Sequence, residues 1–152
     1  MRDTDEDAFR DFVVGRSAAY LRVAYLLTGD WGHAERNFAM PLARERYIAH
    51  IDDDDTYAPG ARRFMAEAIE ATPDRPVIFK MRYPNGITLW RERRVVCGNL
   101  GTPCFLHPNV PEKLGHWGSF VGGDCAFLES SKWSAEEYVW RPEVIAHLGH
   151  NT

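Results

Sequence analysis

Four consecutive aspartates, Asp52-Asp53-Asp54-Asp55, follow the apolar run Tyr47-Ile48-Ala49-His50-Ile51. Adjacent carboxylates repel one another unless a cation neutralises them. Hard divalent ions such as Mg²⁺ and Mn²⁺ take carboxylate and phosphate oxygens, commonly with one or two protein carboxylates. Ligands of α/β sheets bind beyond the carboxyl ends of strands, so an Asp-x-Asp placed there suits a metal bridged to a diphosphate. The plainer alternative is a solvated acidic turn, with Asp55 or Thr56 capping the helix that follows. Cys97, Cys104, His107 and Cys125 include zinc-ligand types, but they lack the tight C-x₂₋₄-C hairpin of structural zinc sites. Cysteines in and beside strands serve more often as small buried hydrophobes. The three cysteines cannot all pair internally, and reduced thiols are the simpler expectation. The sequence has no Walker loop, GxSxG elbow or HExxH.

The elements that must position these groups follow from periodicity. Phe9, Phe12, Val13, Ala19, Tyr20, Val23, Leu26 and Leu27 recur at helical spacing behind a Thr4 or Asp5 cap, and Thr28 to Gly32 stops the helix. A second helix is expected from His33 to Arg46, broken near Met40 by Pro41. Tyr47–Ile51 reads as a strand. Pro59 and Gly60 open a helix to about Glu70, with Phe64, Met65, Ala68 and Ile69 on one face. Val77–Tyr83 and Ile87–Val96 read as a hairpin around Pro84-Asn85-Gly86. Residues 98–123 read as loops with short strands, Phe127–Trp133 as a helix and Trp140–Leu148 as a last strand. Alternation puts Trp90 inside and Arg91 outside, against a cationic patch of Arg91, Arg93 and Arg94. Trp117, Trp133 and Trp140 are core or stacking residues. Strands alternating with helices give an α/β class.

The stretch Arg36-Asn37-Phe38-Ala39 to Asp55, followed by Tyr57-Ala58-Pro59-Gly60, resembles the central segment of inverting, family-2-type glycosyltransferases of the GT-A fold. In that family an R-N-x-A helix precedes a strand that ends in a metal-binding D-x-D. The resemblance implies a partial GT-A-like sheet with flanking helices, preceded by an N-terminal helix. It implies that Asp52 and Asp53 approach the nucleotide, and that Asp52 and Asp54 hold the Mn²⁺ or Mg²⁺ bridging the donor diphosphate. Gly98-Asn99-Leu100-Gly101-Thr102 resembles the segment near the donor sugar, which gives Gly98 and Gly101 a donor-binding role. Trp117 to Leu128 resembles the acceptor side, with Asp124 at the position of the general base. Many relatives carry a second acidic residue two positions later, where this chain has Ala126. His147 or His150 would match the C-terminal metal ligand. The implied partners are a nucleotide-sugar donor and an acceptor of unspecified chemistry.

Asp7 to Val13 and Tyr20 to Trp31 resemble the opening helix of region 2 in actinobacterial extracytoplasmic-function sigma factors. The expected organisation is therefore a sigma-like segment over 1–35 and a glycosyltransferase-like domain over 36–152. The segments that read DNA do not follow, because the glycosyltransferase-like text starts at Arg36. A net charge of −4 also argues against nucleic acid held by bulk charge. Strands of the V-S-V-I-I-P-T type, which open a GT-A donor domain, do not precede Arg36. Beside a sigma-factor-like transcription role, two readings follow: a metal-dependent glycosyltransferase, or a non-enzymatic folded chimera. In either, Tyr47–Ile51 becomes a sheet edge that the N-terminal helix or a second copy, as a homodimer, would cover. The apolar run Ala18–Leu27 is interrupted by Arg22 and too short to span a bilayer, and the acidic first residues lack a signal pattern. A cytoplasmic setting is expected.

Overall fold

The computed structural model describes residues 36–52, 54–118 and 123–149. The chain divides into two compact units, residues 1–42 and 43–152. The described part of the first is helical over 36–39 and tightens into a 3₁₀ turn at Met40–Leu42. Pro41 sits inside that turn, where its missing N–H and fixed φ end the α-helix as expected. The expectations placed on 1–35, the sigma-like resemblance included, lie outside the described residues.

The second unit is built on a mixed six-stranded sheet. In chain order its elements are β1 (Tyr47–Ala49), β2 (Thr56–Tyr57), α1 (Ala61–Ala71), β3 (Val77–Arg82), β4 (Thr88–Leu89), a 3₁₀ turn (Thr102–Cys104), β5 (Phe105–Pro108), α2 (Gly123–Ser130) and β6 (Val139–His147). The strands lie in the order β1-β5-β3-β6-β2, with β4 hydrogen-bonded to β3. Only the β3–β6 pair among these is parallel. A strand covered on both faces reads as a continuous apolar run rather than an alternating one, and Val77-Ile78-Phe79 is such a run, each at most 1% exposed.

On one face, Ala61 and Ala68 of α1 pack with Val77, Phe79, Leu106 and Ile145, flanked by Phe64, Met65 and Ile69. These are the helix positions that the three-and-four spacing marks. Burying a side chain such as Phe79 or Ile145 contributes roughly 1.5–3 kcal/mol. Gly60 starts α1 with φ 84°, a left-handed conformation that suits glycine. Thr72 closes the helix, its N–H and Oγ1 both donating to the Ala68 carbonyl. Phe105 and His107 alternate with Leu106 along β5, so they point to the opposite face. There Trp117 stacks on Phe127 of α2 at 4.7 Å between ring centroids.

The expected hairpin forms. The Gly86 N–H donates to the Tyr83 carbonyl at 2.9 Å, and Gly86 has φ 86°, the geometry of a tight turn followed by a left-handed residue. Its return strand is shorter than Ile87–Val96, because pairing stops at Leu89. Trp90 turns inward, 7% exposed, edge-on to Trp140. Asn99 then gathers the chain: its Oδ1 accepts from the Arg91 and Glu92 N–H groups, and its Nδ2 donates to the Glu92 and Arg94 carbonyls. A buried amide that satisfies four backbone groups replaces the ladder. The last helix also shifts, from 127–133 to Gly123–Ser130. Ser130 and Ser131 donate their hydroxyls to the Ala126 and Leu128 carbonyls, which ends the helix before Trp133.

The expectation of reduced cysteines is corrected. Cys97 and Cys125 are disulfide-bonded across 28 residues of sequence, with Cα atoms 5.2 Å apart. The Asn99-centred loop carries Cys97 to α2, a proximity that sequence separation conceals. Cys104 remains a free thiol, buried in the core, and burial pushes it up to about 12. Among the described residues no helix is long and apolar enough to cross a membrane.

Candidate functional site

The acidic run forms a closed turn. The Asp55 N–H donates to the Asp52 carbonyl at 3.2 Å, which folds 52–55 back between β1 and β2. Asp52 is half-buried, Asp54 exposed and Asp55 buried. Asp53 lies outside the described residues. The end of β6 clamps this turn. β2 pairs antiparallel with β6, Thr56 opposite His147, and the Gly149 N–H donates to Asp55 Oδ1 at 3.1 Å. Asp55 thus holds the turn to the sheet, while Asp54 stays open to solvent. The Leu148 N–H also donates to the Arg82 carbonyl, at 2.9 Å. Two of the proposed metal-ligand stretches, Asp52–Asp54 and His147, are thereby brought to one sheet end. His147 is exposed there, and His150 lies outside the described residues.

Carboxylate and imidazole are donor types that Mn²⁺ accepts, and carboxylates suit Mg²⁺. They are not yet a preformed cage. Among the described residues, the one group of three ligand atoms within 4.8 Å of one another is Cys97, Cys125 and Glu129. Those three sit elsewhere, between the Asn99 loop and α2. The zinc-type set Cys97, Cys104, His107 and Cys125 is therefore dispersed over three places: the disulfide, the core and the His50 pair.

Asp124 stands in the first turn of α2, half-buried, with its Oδ1 accepting the Cys125 N–H at 2.8 Å. An acidic side chain there complements the exposed N–H groups of the helix start. Tyr83 directly follows β3. Burial raises the Tyr83 hydroxyl above its ordinary value, and the charges at Cys104, Asp124 and Asp55 raise it further, against Arg91. Asp55 and Asp124, 69 positions apart by number, thus act on one phenol. Tyr83 was not singled out from sequence, where it reads only as the residue before a turn.

Of the proposed donor-sugar glycines, Gly98 has a backbone reason to be glycine, while Gly101 faces the flexible end of Met81. Gly98 has φ 77°, which strains any side chain. A Cβ at Gly101 would collide with Met81, at 2.9 Å from its Sδ and closer still to its Cε. Both lie in the loop that the Cys97–Cys125 bond joins to α2.

Beneath the acidic turn is a buried pair that the sequence did not announce. His50, one residue beyond β1, and His107 of β5 are 6% and 4% exposed, with Nε2 atoms 2.8 Å apart. One ring donates to the other. Trp117 and Phe127 enclose them edge-on at 5.0 and 5.4 Å from His50. Burial holds His107 neutral down to about 4. The pair ties the strand that feeds the acidic turn to β5, so its role is to hold the turn. Trp117 is likewise a core residue, Trp140 is half-buried against Trp90, and Trp133 lies under the Lys113 ammonium at 4.2 Å.

No family model matches the chain, and no curated protein does. The fold itself is glycosyltransferase-like. Its similarity is to TarS of S. aureus, a glycosyltransferase: the crystal structure of TarS 1–349 matches with a TM-score of 0.57 and 14% identity, over 76% of this chain and 39% of that one. TarS 1–349 in complex with UDP-GlcNAc matches with a TM-score of 0.50 and 14% identity, over 78% and 38%. The chain spans under two-fifths of the length of these structures.

Proposed function

We propose that this chain is a GT-A-like glycosyltransferase domain that takes a nucleotide-sugar donor with a divalent cation at the acidic turn. The observation that carries the reading is the closed turn at 52–55, clamped to the end of β6 with Asp54 left exposed. It stands in a fold similar to one solved with UDP-GlcNAc bound. Asp52, Asp54 and His147 would hold Mn²⁺ or Mg²⁺, with Asp53 and His150 as the adjoining positions of the same motif. A cation there supplies charge neutralisation to a departing nucleoside diphosphate. Gly98 and Gly101 would lie along the donor sugar. Asp124 would accept the proton of the acceptor hydroxyl as its oxygen bonds to the anomeric carbon and the bond to the diphosphate oxygen breaks. The setting consistent with such a donor is the cytoplasm.

The alternative reading is a folded, non-enzymatic chain. Calorimetric titration of UDP and GDP, with and without Mn²⁺, on this chain and on Asp54→Asn separates the two. We expect binding that requires Mn²⁺ and weakens at least tenfold in Asp54→Asn. Absence of binding by either nucleotide at millimolar concentration would falsify the donor-site reading and leave the folded, non-enzymatic one.

A further inference from the structure

We infer that Cys97 and Cys125 form a reversible redox clasp that fastens the Gly98–Gly101 loop to the first turn of α2. Three features of the molecule point this way. The bond joins two segments 28 residues apart in sequence: Cys97 immediately precedes Gly98, and Cys125 immediately follows Asp124. Its sulfurs are reachable, since Cys97 is exposed and Cys125 only half-buried. Exposed disulfides are the ones that exchange with solvent thiols, whereas structural ones are shielded. Above all, the reduced state has its own partner. Glu129 Oε1 lies 3.7 Å from Cys97 Sγ and 3.6 Å from Cys125 Sγ. A disulfide has no proton to offer that oxygen, while two thiols can both donate to it. One carboxylate, one helical turn beyond Cys125, therefore serves the open state without being needed in the closed one.

The co-reactant is a small disulfide of the glutathione class. On closing, one protein thiolate attacks its sulfur, a glutathione thiolate leaves, and a mixed disulfide forms. The second protein thiolate then displaces the remaining glutathione. Two electrons pass to glutathione, and the two protein thiols give up their protons. Opening is the reverse exchange with two glutathione thiols. The consequence for donor binding rests on the proposed nucleotide-sugar reading; the exchange itself does not.

The test uses the full chain in glutathione buffers of graded poise, with thiols counted by alkylation and mass spectrometry. In oxidising buffer we expect one thiol, Cys104, and only after unfolding. In reducing buffer we expect two thiols natively and three after unfolding. Reduction should lower Tm by roughly 5–10 °C, the loss of a loop constraint of this span. The Cys97→Ser/Cys125→Ser double variant should melt like the reduced chain and ignore glutathione. Glu129→Ala should move the midpoint towards the disulfide by about threefold to tenfold, since two weak hydrogen bonds of the open state are lost. Three thiols in oxidised glutathione, one thiol at the most reducing poise, or a stoichiometric zinc ion protecting both thiols would each overturn the clasp. UDP with Mn²⁺ is then titrated in both states. A threefold or greater difference supports control of the donor site, and equal affinity removes that role. Failure to bind in either state counts against the donor reading, while thiol counts and Tm still decide the clasp.

Discussion

Asp54 and Asp124 sit in opposite local circumstances, and the difference decides how each should respond to substitution. Asp54 is exposed, while its neighbour Asp55 accepts the Gly149 N–H. Asp124 spends its Oδ1 on the Cys125 N–H, and asparagine keeps an oxygen that can do the same. Asp124→Asn should therefore fold normally and bind UDP with Mn²⁺ within about twofold of the parent chain. It should lose sugar transfer by roughly 10²–10⁴ in kcat, the usual weight of a general base. If nucleotide affinity falls along with kcat, Asp124 belongs to the donor site and the base lies elsewhere. The acidic run stands out in the sequence because its residues are contiguous, and the cysteine pairing does not. Cys97 and Cys125 bond across 28 positions, and His50 meets His107 across 57, distances over which one sequence without its fold gives no pairing signal. Tyr83 was hidden for the same reason, since what marks it is the carboxylates around it.

Elements were legible where local chemistry fixes them and illegible where a remote side chain intervenes. The Pro84-Asn85-Gly86 turn, the apolar face of α1 and the strand from Val77 follow from periodicity and turn residues alone. The loop after Trp90 did not, because one buried amide, Asn99, overrides the strand propensity of Val95 and Val96. The most consequential junction is where β6 ends against the acidic turn. There Gly149 leaves no room for a side chain: an added Cβ would fall into the Asp54 carbonyl oxygen and lie 3.2 Å from the Asp54 Cβ. Backbone on both sides cannot yield without parting the two segments. Gly149→Ala should cost about 1–3 kcal/mol in urea unfolding, the range for overpacking. It should also weaken Mn²⁺-dependent UDP binding, because the turn that presents Asp54 is displaced. A variant that loses the stability yet keeps the affinity would show that the clamp is structural only.

At the scale of the whole molecule, the α/β class could be read ahead, but the order of the strands in the sheet and the placement of titratable groups in the core could not. That placement sets how stability depends on pH. His107 has an ordinary value of 6.5 and is held near 4 by burial. Between those values the unfolded chain takes up a proton that the folded chain refuses, so stability falls as pH drops, by about 3 kcal/mol in all. Lower still, Glu137 and Glu143 add to the loss. A hydrogen bond from Lys113 depresses Glu137 and one from Arg141 depresses Glu143, so both contacts vanish on protonation. The alkaline side has the opposite sign and different owners. Burial raises Cys104 from 9.0 and Tyr57 from 10.0, each to about 12. Above pH 9 the unfolded chain therefore releases protons first, and stability falls again as pH rises. We expect urea midpoints to form a plateau between about pH 6.5 and 9, with a limb on either side. His107→Phe should flatten the limb from 6.5 to 4 while leaving the carboxylate loss below it. Cys104→Ala should delay the alkaline fall until Tyr57 takes it over near pH 10. An acid limb unchanged in His107→Phe would mean that the proton is refused elsewhere, and that the buried pair beneath the acidic turn is not what makes this core acid-sensitive.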